Sequence, residues 1–232
     1  MEVVKWQYKN PYHDKRTERE RLFIFGPHTV TIAQHPTVHI DIHQNTGFIV
    51  WDGAYILAKF VHERLDLVGK SCLELGAGSA LVSVVAYLCS AARVVATDMS
   101  EYLPFIRTNI ERNLGSMYAA TQQKPVRVCE LFWGSKTDDI EPADVVLGSE
   151  ILYLADQHDA LLATLAEVMH AQSTAYFVYK ERNLGEHTFA AKATQRGFAV
   201  KELSRAFIDE EFRDNKDERY HLLRISKIKQ GM

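Results

Sequence analysis

The feature that most limits how this 232-residue chain can fold is a glycine turn between two apolar segments. Ser71–Leu75 is predicted to be a buried strand, Gly76-Ala77-Gly78 follows it, and a helix is predicted over Ala80–Leu88. The glycines allow a sharp turn and let a ligand approach the backbone closely. This order of strand, turn and helix is typical of nucleotide-type sites in α/β proteins.

Strands and helices alternate along the chain from about Trp51 onward. The first long helix is predicted to begin at Asp52 as its N-cap residue. Beyond the glycine turn, strands are predicted at Arg93–Thr97, Val126–Glu130, Asp144–Gly148, Ala175–Lys180, Phe198–Leu203 and Tyr220–Ile225, and helices at Pro104–Leu114, Gln157–His170 and Gly185–Arg196. This pattern predicts an α/β, Rossmann-like fold: a mostly parallel seven-stranded sheet with helices on both faces and an antiparallel hairpin at one edge.

The amino-terminal part follows another pattern. Leu22–Phe25, Val30–Ala33 and Val38–Ile42 are short runs rich in β-branched or aromatic residues, separated by Gly26-Pro27 and His35-Pro36. We therefore expect a β-rich extension or lid over residues 1–46 and the α/β domain over residues 47–232. Trp6, Tyr8 and Tyr12 would belong to a lid or to a docking arm.

Composition argues against several classes of protein. The net charge is −3, and Lys and Arg form no stripe, so we expect no nucleic-acid partner. No apolar run approaches the length of about 18 residues that crosses a membrane, and no signal peptide is evident. Cys72, Cys89 and Cys129 fit no metal or redox spacing. We expect a reduced protein of the cytoplasm or nucleus, acting as a monomer.

Three histidines, His35, His39 and His43, recur at four-residue spacing. Pro36 lies within this strand-like segment, so the histidines would not share a helical face. Asp41 lies among them, but no Cys or further acidic residue completes a ligand set. We therefore expect no metal site.

Two acidic residues flank the glycine turn. Glu74 lies two residues before Gly76, where it would repel a pyrophosphate but suit a ligand with an ammonium group. S-adenosylmethionine carries an ammonium and a sulfonium and no phosphate. A dinucleotide site would also want a third glycine, where this chain has Leu81. The alternative is that Glu74 caps a neighbouring turn.

Asp98 ends the second predicted strand, 22 residues after Gly76 (98−76). This is close to the spacing of about 20 residues at which an acidic residue binds ribose hydroxyls. The alternative is that Asp98 caps the following helix. Trp133 follows the third strand at the same rim, where an indole could cover an adenine ring, although core packing explains a lone tryptophan equally well. The same applies to Trp51.

Three segments together resemble the lysine methyltransferases of methyltransferase family 16, the methyltransferase-like 21 group. They are Gly47-Phe48-Ile49-Val50-Trp51-Asp52-Gly53-Ala54, Leu73-Glu74-Leu75-Gly76-Ala77-Gly78 and Asp144-Val145-Val146-Leu147-Gly148-Ser149-Glu150-Ile151-Leu152-Tyr153. The resemblance covers roughly residues 23–153 well and the tail more loosely. It implies that residues 47–232 form an S-adenosylmethionine-dependent methyltransferase domain, with S-adenosylhomocysteine as a product.

The resemblance also implies roles for individual residues. It places Glu150 and Tyr153 at the methyl-acceptor site. The residues that it places at the cofactor site are Trp51, Gly76, Ala77, Gly78, Asp98, Trp133 and Ser149. Glu74, considered above, is expected at the same site. The chain departs from many relatives, which have Asp at position 150, Ala at 149 and Thr-Gly where this chain has Ser79-Ala80. The longer carboxylate of Glu150 makes the acceptor geometry less certain than the cofactor site.

The expected reaction transfers a methyl group to the ε-amine of a lysine in a protein substrate. Glu150 would orient the amine more than deprotonate it, because a carboxylate beside an ammonium raises the pKa of the amine. Tyr153 would wall the acceptor channel. Without the family resemblance, an acidic residue that interacts with a helix dipole and a packed aromatic would be the better explanation of the pair.

Two other functions stay open. One is a small-molecule N-methyltransferase of the nicotinamide type, and the other is a cofactor-binding interaction module without turnover. Nucleic-acid amino-methyltransferases usually carry an Asn/Asp-Pro-Pro-aromatic run after the fourth strand. Here that place reads Ser149-Glu150-Ile151-Leu152-Tyr153, which argues against that class.

Overall fold

The computed structural model describes residues 14–36, 46–121, 126–213 and 219–228. The strand predicted at Val38–Ile42 and the roles suggested for Trp6, Tyr8 and Tyr12 lie outside these ranges. The strands are β1 (Glu20–Phe25), β2 (His28–Ala33), β3 (Ser71–Leu75), β4 (Arg93–Asp98), β5 (Val126–Glu130), β6 (Ala143–Ser149), β7 (Met169–Lys180), β8 (Phe198–Glu202) and β9 (Tyr220–Lys227). The helices are α1 (Asp52–Arg64), α2 (Leu81–Leu88), α3 (Leu103–Thr121), α4 (His158–Val168), α5 (Thr188–Gln195) and α6 (Glu210–Arg213).

The central sheet has seven strands in the order β5-β4-β3-β6-β7-β9-β8. Strands β3 to β7 are parallel to one another, whereas β9 is antiparallel to both β7 and β8. The predicted α/β fold with an antiparallel hairpin at one edge is therefore confirmed. The carboxyl ends of the parallel strands meet at one edge of the sheet, where ligands bind in such folds.

Helices cover both faces of this sheet, as predicted. One hydrophobic cluster joins α1, α2 and α3 to the sheet through residues such as Leu57, Val82 and Ile106. A second cluster joins α4 and α5 to the opposite face, with Leu161 and Phe189 fully buried. No helix in the described part of the chain is long and apolar enough to cross a membrane.

Several predicted element ends differ from the structure: α3 extends to Thr121 rather than Leu114, and α5 begins at Thr188 rather than Gly185. The helix predicted over Gln157–His170 ends at Val168, and β7 begins at Met169. The pairing register shifts between Ala143 and Val145, and such irregular strand starts are poorly distinguished from helix ends by apolar periodicity. Asp52 is the first helical residue of α1, while Trp51 occupies the N-cap position without a side-chain hydrogen bond.

The amino-terminal strands β1 and β2 form an antiparallel hairpin that packs onto the main domain. Alternation turns Arg21, Phe23 and Phe25 inward, while Leu22 and Ile24 are exposed on the outer face. Both phenylalanines belong to the same hydrophobic cluster as helices α1 to α3. The hairpin therefore shares its core with the α/β domain.

Two asparagines on α3 satisfy the outer edge of β2. The Asn113 side chain accepts a hydrogen bond from Thr31 N–H at 2.8 Å and donates to the Thr31 carbonyl at 2.9 Å. Asn109, one turn earlier, accepts from Ala33 N–H and donates to the carbonyls of Ala33 and Ser79. The two amides thus replace a neighbouring strand and cover an edge that would otherwise invite pairing with another chain.

Two further side chains fix the segment that leads into α1. Gln34 accepts a hydrogen bond from Val50 N–H, and Arg21 donates to the Val50 carbonyl, both at 2.8 Å. Gln34 also donates to the carbonyls of Lys15 and Glu18. These contacts hold Trp51, the next residue, in place at the edge of the candidate site.

Candidate active site

A cavity of about 350 Å³ opens at the carboxyl edge of the parallel strands. The segments that follow β3 to β7 line it, together with the segment that begins at Thr46 and enters α1. Nine of the ten predicted site residues lie on its wall: Trp51, Gly76, Ala77, Gly78, Asp98, Trp133, Ser149, Glu150 and Tyr153. The volume of this cavity is within the range of small-molecule sites, which measure about 300–1,000 Å³.

The glycine turn has the geometry that only glycine adopts easily. Gly76 and Gly78 both have positive φ, at 65° and 49°. A Cβ on Gly76 would lie 2.8 Å from Cγ2 of Ile151, and one on Gly78 would lie 3.1 Å from the Gly47 carbonyl oxygen. The turn is therefore packed between the Ile151 side chain and the Gly47 backbone, and it lines the cavity on its remaining side.

Asp98 lies at the end of β4, beside this turn. One carboxylate oxygen accepts a hydrogen bond from Gly78 N–H at 2.7 Å, and the other accepts from Met99 N–H at 2.8 Å. Burial raises the pKa of Asp98 to about 6 against the effect of these two donors. The carboxylate thus both shapes the glycine turn and reaches the cavity wall.

Glu74 is the predicted cofactor residue that does not line the cavity. Its carboxylate is buried and accepts hydrogen bonds from the backbone N–H and hydroxyl of Ser83, in the first turn of α2. Side chains alternate along a strand, so Glu74 shares the face of Cys72, which α1 and α2 cover. This geometry favours the alternative, in which Glu74 caps a helix behind the glycine turn, over direct contact with an ammonium group.

Burial raises the pKa of Glu74 to about 8. The folded chain therefore holds a proton that the unfolded chain has lost, so this group lowers stability as pH rises from about 4.5 to 8. Glu74→Gln should be stabilised relative to the parent chain at pH 8 more than at pH 5, with scanning calorimetry without added cofactor as the measurement. The exposed Glu111→Gln is the control, and an equal Tm difference at both pH values would contradict the effect.

Trp51 and Trp133 stand on the cavity wall in different surroundings. Trp133 packs beside the α4/α5 cluster, and a Cβ on Gly76 would lie 3.7 Å from its indole. Trp51 donates its indole N–H to the Thr46 carbonyl at 2.8 Å. Arginine guanidinium groups of Arg16 and Arg182 lie 5.6 and 5.5 Å from the Trp51 ring centroid. Trp133 therefore borders the glycine turn, and Trp51 borders a cationic part of the cavity.

Glu150 follows β6 in an unusual backbone conformation. Its φ is 55°, and its N–H donates to the Val178 carbonyl at 2.8 Å, which extends the pairing of β6 with β7 by one bond. One carboxylate oxygen, Oε2, accepts hydrogen bonds from Lys180 N–H and from Arg182. The other, Oε1, is buried without a hydrogen-bond partner among the described residues.

The buried Oε1 oxygen of Glu150 points toward the first turn of α1. A Cβ on Gly53 would lie 2.8 Å from both Cγ and Cδ of Glu150, so only glycine leaves room there for this carboxylate. Burial raises the pKa of Glu150, although Arg182 opposes the shift. An unsatisfied buried acceptor in a cavity wall is suited to receive a hydrogen bond from a ligand.

Tyr153 lies three residues after Glu150 on the cavity wall, where its hydroxyl contacts that of Thr46. The two hydroxyl oxygens are 3.3 Å apart. Burial raises the pKa of Tyr153, so the phenol is neutral at physiological pH. Tyr153, Thr46, Trp51, Arg182 and Glu150 are therefore joined by contacts into a wall around one end of the cavity.

Sequence reasoning missed Arg182, Thr46 and Gly53. Arg182 comes two residues after β7, and the end of a parallel strand at the ligand edge was a signal that could have found it. Thr46 and Gly53 gave no comparable signal, because their roles depend on contacts with residues about 100 positions away.

Among the described residues, no group of three or more His, Cys, Asp or Glu side chains could hold a metal ion. His35 packs instead against the rings of Phe48 and Phe105, with ring centroids 5.7 and 4.9 Å away. His39 and His43 lie outside the described ranges.

Comparison with protein families gives the context for this cavity. The family described as "Lysine methyltransferase" matches residues 33–196, which include the cavity-lining segments before α1 and after β3 to β7. The chain belongs to this lysine methyltransferase family. The resemblance noted in the three sequence motifs is thereby confirmed, and the chain is an S-adenosylmethionine-dependent methyltransferase.

Several lysine methyltransferases are similar over most of their length. Protein N-lysine methyltransferase METTL21A of Mus musculus is 34% identical over 182 residues, covering 77% of this chain and 78% of that protein. EEF1A lysine methyltransferase 3 of Xenopus tropicalis is 29% identical over 228 residues, covering 97% and 93%. Protein N-lysine methyltransferase METTL21A of Danio rerio is 35% identical over 158 residues, covering 67% and 70%.

Solved structures share the fold of this lysine methyltransferase at low identity. A ribosomal protein L11 methylase from Lactobacillus delbrueckii has a TM-score of 0.59 at 15% identity, covering 90% of this chain and 99% of that chain. A TehB-like methyltransferase from Corynebacterium glutamicum has a TM-score of 0.56 at 12% identity, covering 74% and 87%. Both support the Rossmann-like arrangement predicted from the alternating elements.

Proposed function

We propose that this methyltransferase modifies the ε-amine of a lysine in a protein, and that the two reactants meet in the cavity described above. One observation carries the proposal. Glu150, whose Oε1 has no hydrogen-bond partner among the described residues, and Tyr153 line the same cavity as the glycine turn and Asp98. A group that binds a nucleoside and a group that binds an amine therefore share one enclosure.

The residues at the glycine turn fit S-adenosylmethionine. The open side of Gly76-Ala77-Gly78 leaves space for a ligand beside the backbone, and Asp98 offers a carboxylate suited to ribose hydroxyls. Trp133 would cover the adenine, and Ser149 would line the space between the two reactants. The bound sulfonium supplies an electrophilic methyl group.

Glu74 takes an indirect part in this proposal. Its carboxylate holds Ser83 in the first turn of α2 and so fixes the helix that follows the glycine turn. We propose that it positions the turn rather than contacting the ammonium of the ligand. The hairpin of β1 and β2 would likewise be a fixed part of the domain rather than a moving lid, because it shares its core with the α/β domain.

The acceptor amine must arrive without its extra proton, with its lone pair in line with the methyl group. The free Oε1 of Glu150 would accept one N–H bond from the amine and so aim the lone pair. Tyr153 and Trp51 would wall the channel and exclude water from the amine. Transfer forms the N–C bond as the C–S bond breaks, with its electron pair left on sulfur.

The rim of the cavity supports a protein acceptor. Phe132 and Leu184 line its mouth with 48% and 40% of their surfaces exposed. Exposed apolar side chains at the mouth of a site are typical of contact with a macromolecule. One relative's name gives elongation factor 1A as its substrate, which makes that protein the first acceptor to test here.

The proposal is tested by incubating the purified chain and radiolabelled S-adenosylmethionine with cell extract, and separately with purified elongation factor 1A. A labelled polypeptide that disappears with excess S-adenosylhomocysteine supports protein methylation. Label confined to the low-mass fraction would indicate a small-molecule enzyme. Cofactor binding without any labelled product in any fraction would indicate a binding module and overturn the proposal.

Asp98→Ala should weaken the binding of S-adenosylhomocysteine by about 1–3 kcal/mol, because the ribose hydroxyls lose their acceptor. Titration calorimetry measures this change, with the exposed Asp138→Ala as the matched control. Unchanged affinity in Asp98→Ala would contradict the assignment of this residue to the cofactor site.

The cellular setting is also a proposal. Cys72, Cys89 and Cys129 are all free thiols, which supports a reducing compartment such as the cytoplasm or the nucleus. That the chain acts as a monomer stays a prediction, which light scattering on the purified protein would measure.

A further inference from the structure

The Glu150 carboxylate is paired with a cation, Arg182, from the segment that follows β7. Arg182 Nη1 donates to Glu150 Oε2 at 2.6 Å and to the Lys180 carbonyl at 3.2 Å. The Glu150 side chain is 6% exposed and that of Arg182 is 27% exposed, so this ion pair is shielded from water on the Glu150 side. The pair leaves Oε1 of Glu150 without a hydrogen-bond partner among the described residues.

The turn that carries Arg182 is itself fixed. The buried carboxylate of Glu186 accepts hydrogen bonds from Arg182 N–H at 3.0 Å and from Leu184 N–H at 2.9 Å. The Arg182 guanidinium also lies 5.5 Å from the Trp51 ring centroid, in the range of a cation–π contact. Contacts to both its backbone N–H and its guanidinium group therefore fix the position of Arg182.

Other charged and titratable groups face Glu150 from the elements packed around it. Asp52, at the start of α1, acts against the ionisation of Glu150, and Tyr153 lies three residues further along the same segment. Lys180 contributes its backbone N–H, and its ammonium lies 5.9 Å from the Tyr220 ring centroid. Arg182 is the group whose charge and hydrogen bond both favour the ionised carboxylate.

The pairing matters because a lone carboxylate would oppose the reaction. An unpaired anion beside an acceptor ammonium raises the pKa of that amine and keeps it protonated. A carboxylate already paired with a guanidinium still offers a hydrogen-bond acceptor but adds little net negative charge. Resting on the proposed function, we propose that Arg182 is a positioning residue that neutralises Glu150, so that Glu150 orients the acceptor amine without keeping it charged.

The first measurement is the pH profile of methyl transfer to the acceptor band found in cell extract, at saturating cofactor. In Arg182→Met the acid limb of the pH–rate profile should move to higher pH by about one unit. Activity near pH 7 should therefore fall about tenfold and should recover at high pH. Arg182→Lys should restore the position of the limb, since it restores the charge. Arg196→Met removes a surface arginine that pairs with Asp159 and should leave the profile unchanged.

The second measurement does not depend on catalysis. In protein labelled with ¹³C at the glutamate carboxyl carbons, the Glu150 signal is assigned by its loss in Glu150→Gln and then followed through a pH titration. The titration midpoint of Glu150 should be higher in Arg182→Met than in the parent chain and should return toward the parent value in Arg182→Lys.

The two measurements separate the failure of this inference from the failure of the proposed function. If Arg182→Met loses activity equally at every pH, or if the Glu150 midpoint stays unchanged, the arginine only supports the structure and the inference is overturned. If the parent chain labels no polypeptide at all, the proposed function fails. A shifted Glu150 midpoint would then still support the pairing, and an unshifted one would overturn it.

Discussion

Replacing Glu150 with alanine should slow methyl transfer by about 100-fold or more while leaving the affinity for S-adenosylhomocysteine unchanged. The substitution removes the carboxylate oxygen that has no hydrogen-bond partner in the cavity wall and would aim the acceptor amine. The chain should stay folded, because burial already disfavours the ionised carboxylate and the partly exposed Arg182 can turn to water. The rate is measured with radiolabelled cofactor and the affinity by calorimetry.

A matched control is Glu167→Ala, which removes an exposed carboxylate from α4 that accepts hydrogen bonds from Thr137. Its rate should equal that of the parent chain. Glu150→Gln adds a sharper comparison, since it keeps the side-chain length and removes the charge. Full activity in Glu150→Ala would remove Glu150 from the acceptor site and would shift attention to Tyr153.

Replacing Gly53 with alanine should reduce methyl transfer by about tenfold or more without unfolding the chain, since small displacements of an orienting group are costly. The new methyl group would lie 2.8 Å from Cγ and Cδ of Glu150, whose carboxylate is held by Lys180 N–H and Arg182. The side chain of Glu150 must therefore move. Alanine is a better helix former than glycine by about 1 kcal/mol, which offsets part of the strain.

The effect of Gly53→Ala is checked by comparing the rate with Tm and with cofactor affinity. Gly115→Ala on α3 supplies the same gain in helix propensity, and its Cβ would meet Glu111 Cγ at an ordinary 3.7 Å. Only the Gly53 variant should lose activity. Equal rates in the two variants would show that the Glu150 position is not constrained by α1.

Much of the site could be predicted because parallel strands place their carboxyl ends at one edge of the sheet. The glycine turn, Asp98, Trp133 and Glu150 each follow a strand that the apolar pattern identifies, so their meeting at one cavity required only the alternation of strands and helices. The resemblance to lysine methyltransferases then distinguished these residues from ordinary loop residues. The family comparison confirmed that resemblance.

The direction of a side chain was harder to predict than its position. Glu74 was expected at the ligand because it is close to Gly76 in sequence, yet strand alternation turns it toward α2 and Ser83. The pair of Asn109 and Asn113 gave no signal, because an asparagine that completes a strand edge looks like any polar helical residue until the strand is in place. Arg182 reaches Glu150 only through the adjacency of β6 and β7.

The Asn109 amide has a consequence for how small this protein can be made. The same nitrogen donates to the Ala33 carbonyl on the hairpin and to the Ser79 carbonyl at the foot of α2. A shortened chain that starts after the hairpin would lose the packing of Phe23 and Phe25 against α1. Asn109 and Asn113 would also lose their hydrogen bonds to the backbone of β2. We therefore expect the smallest chain that folds to begin before Glu20, well ahead of Thr46, the first residue that lines the cavity.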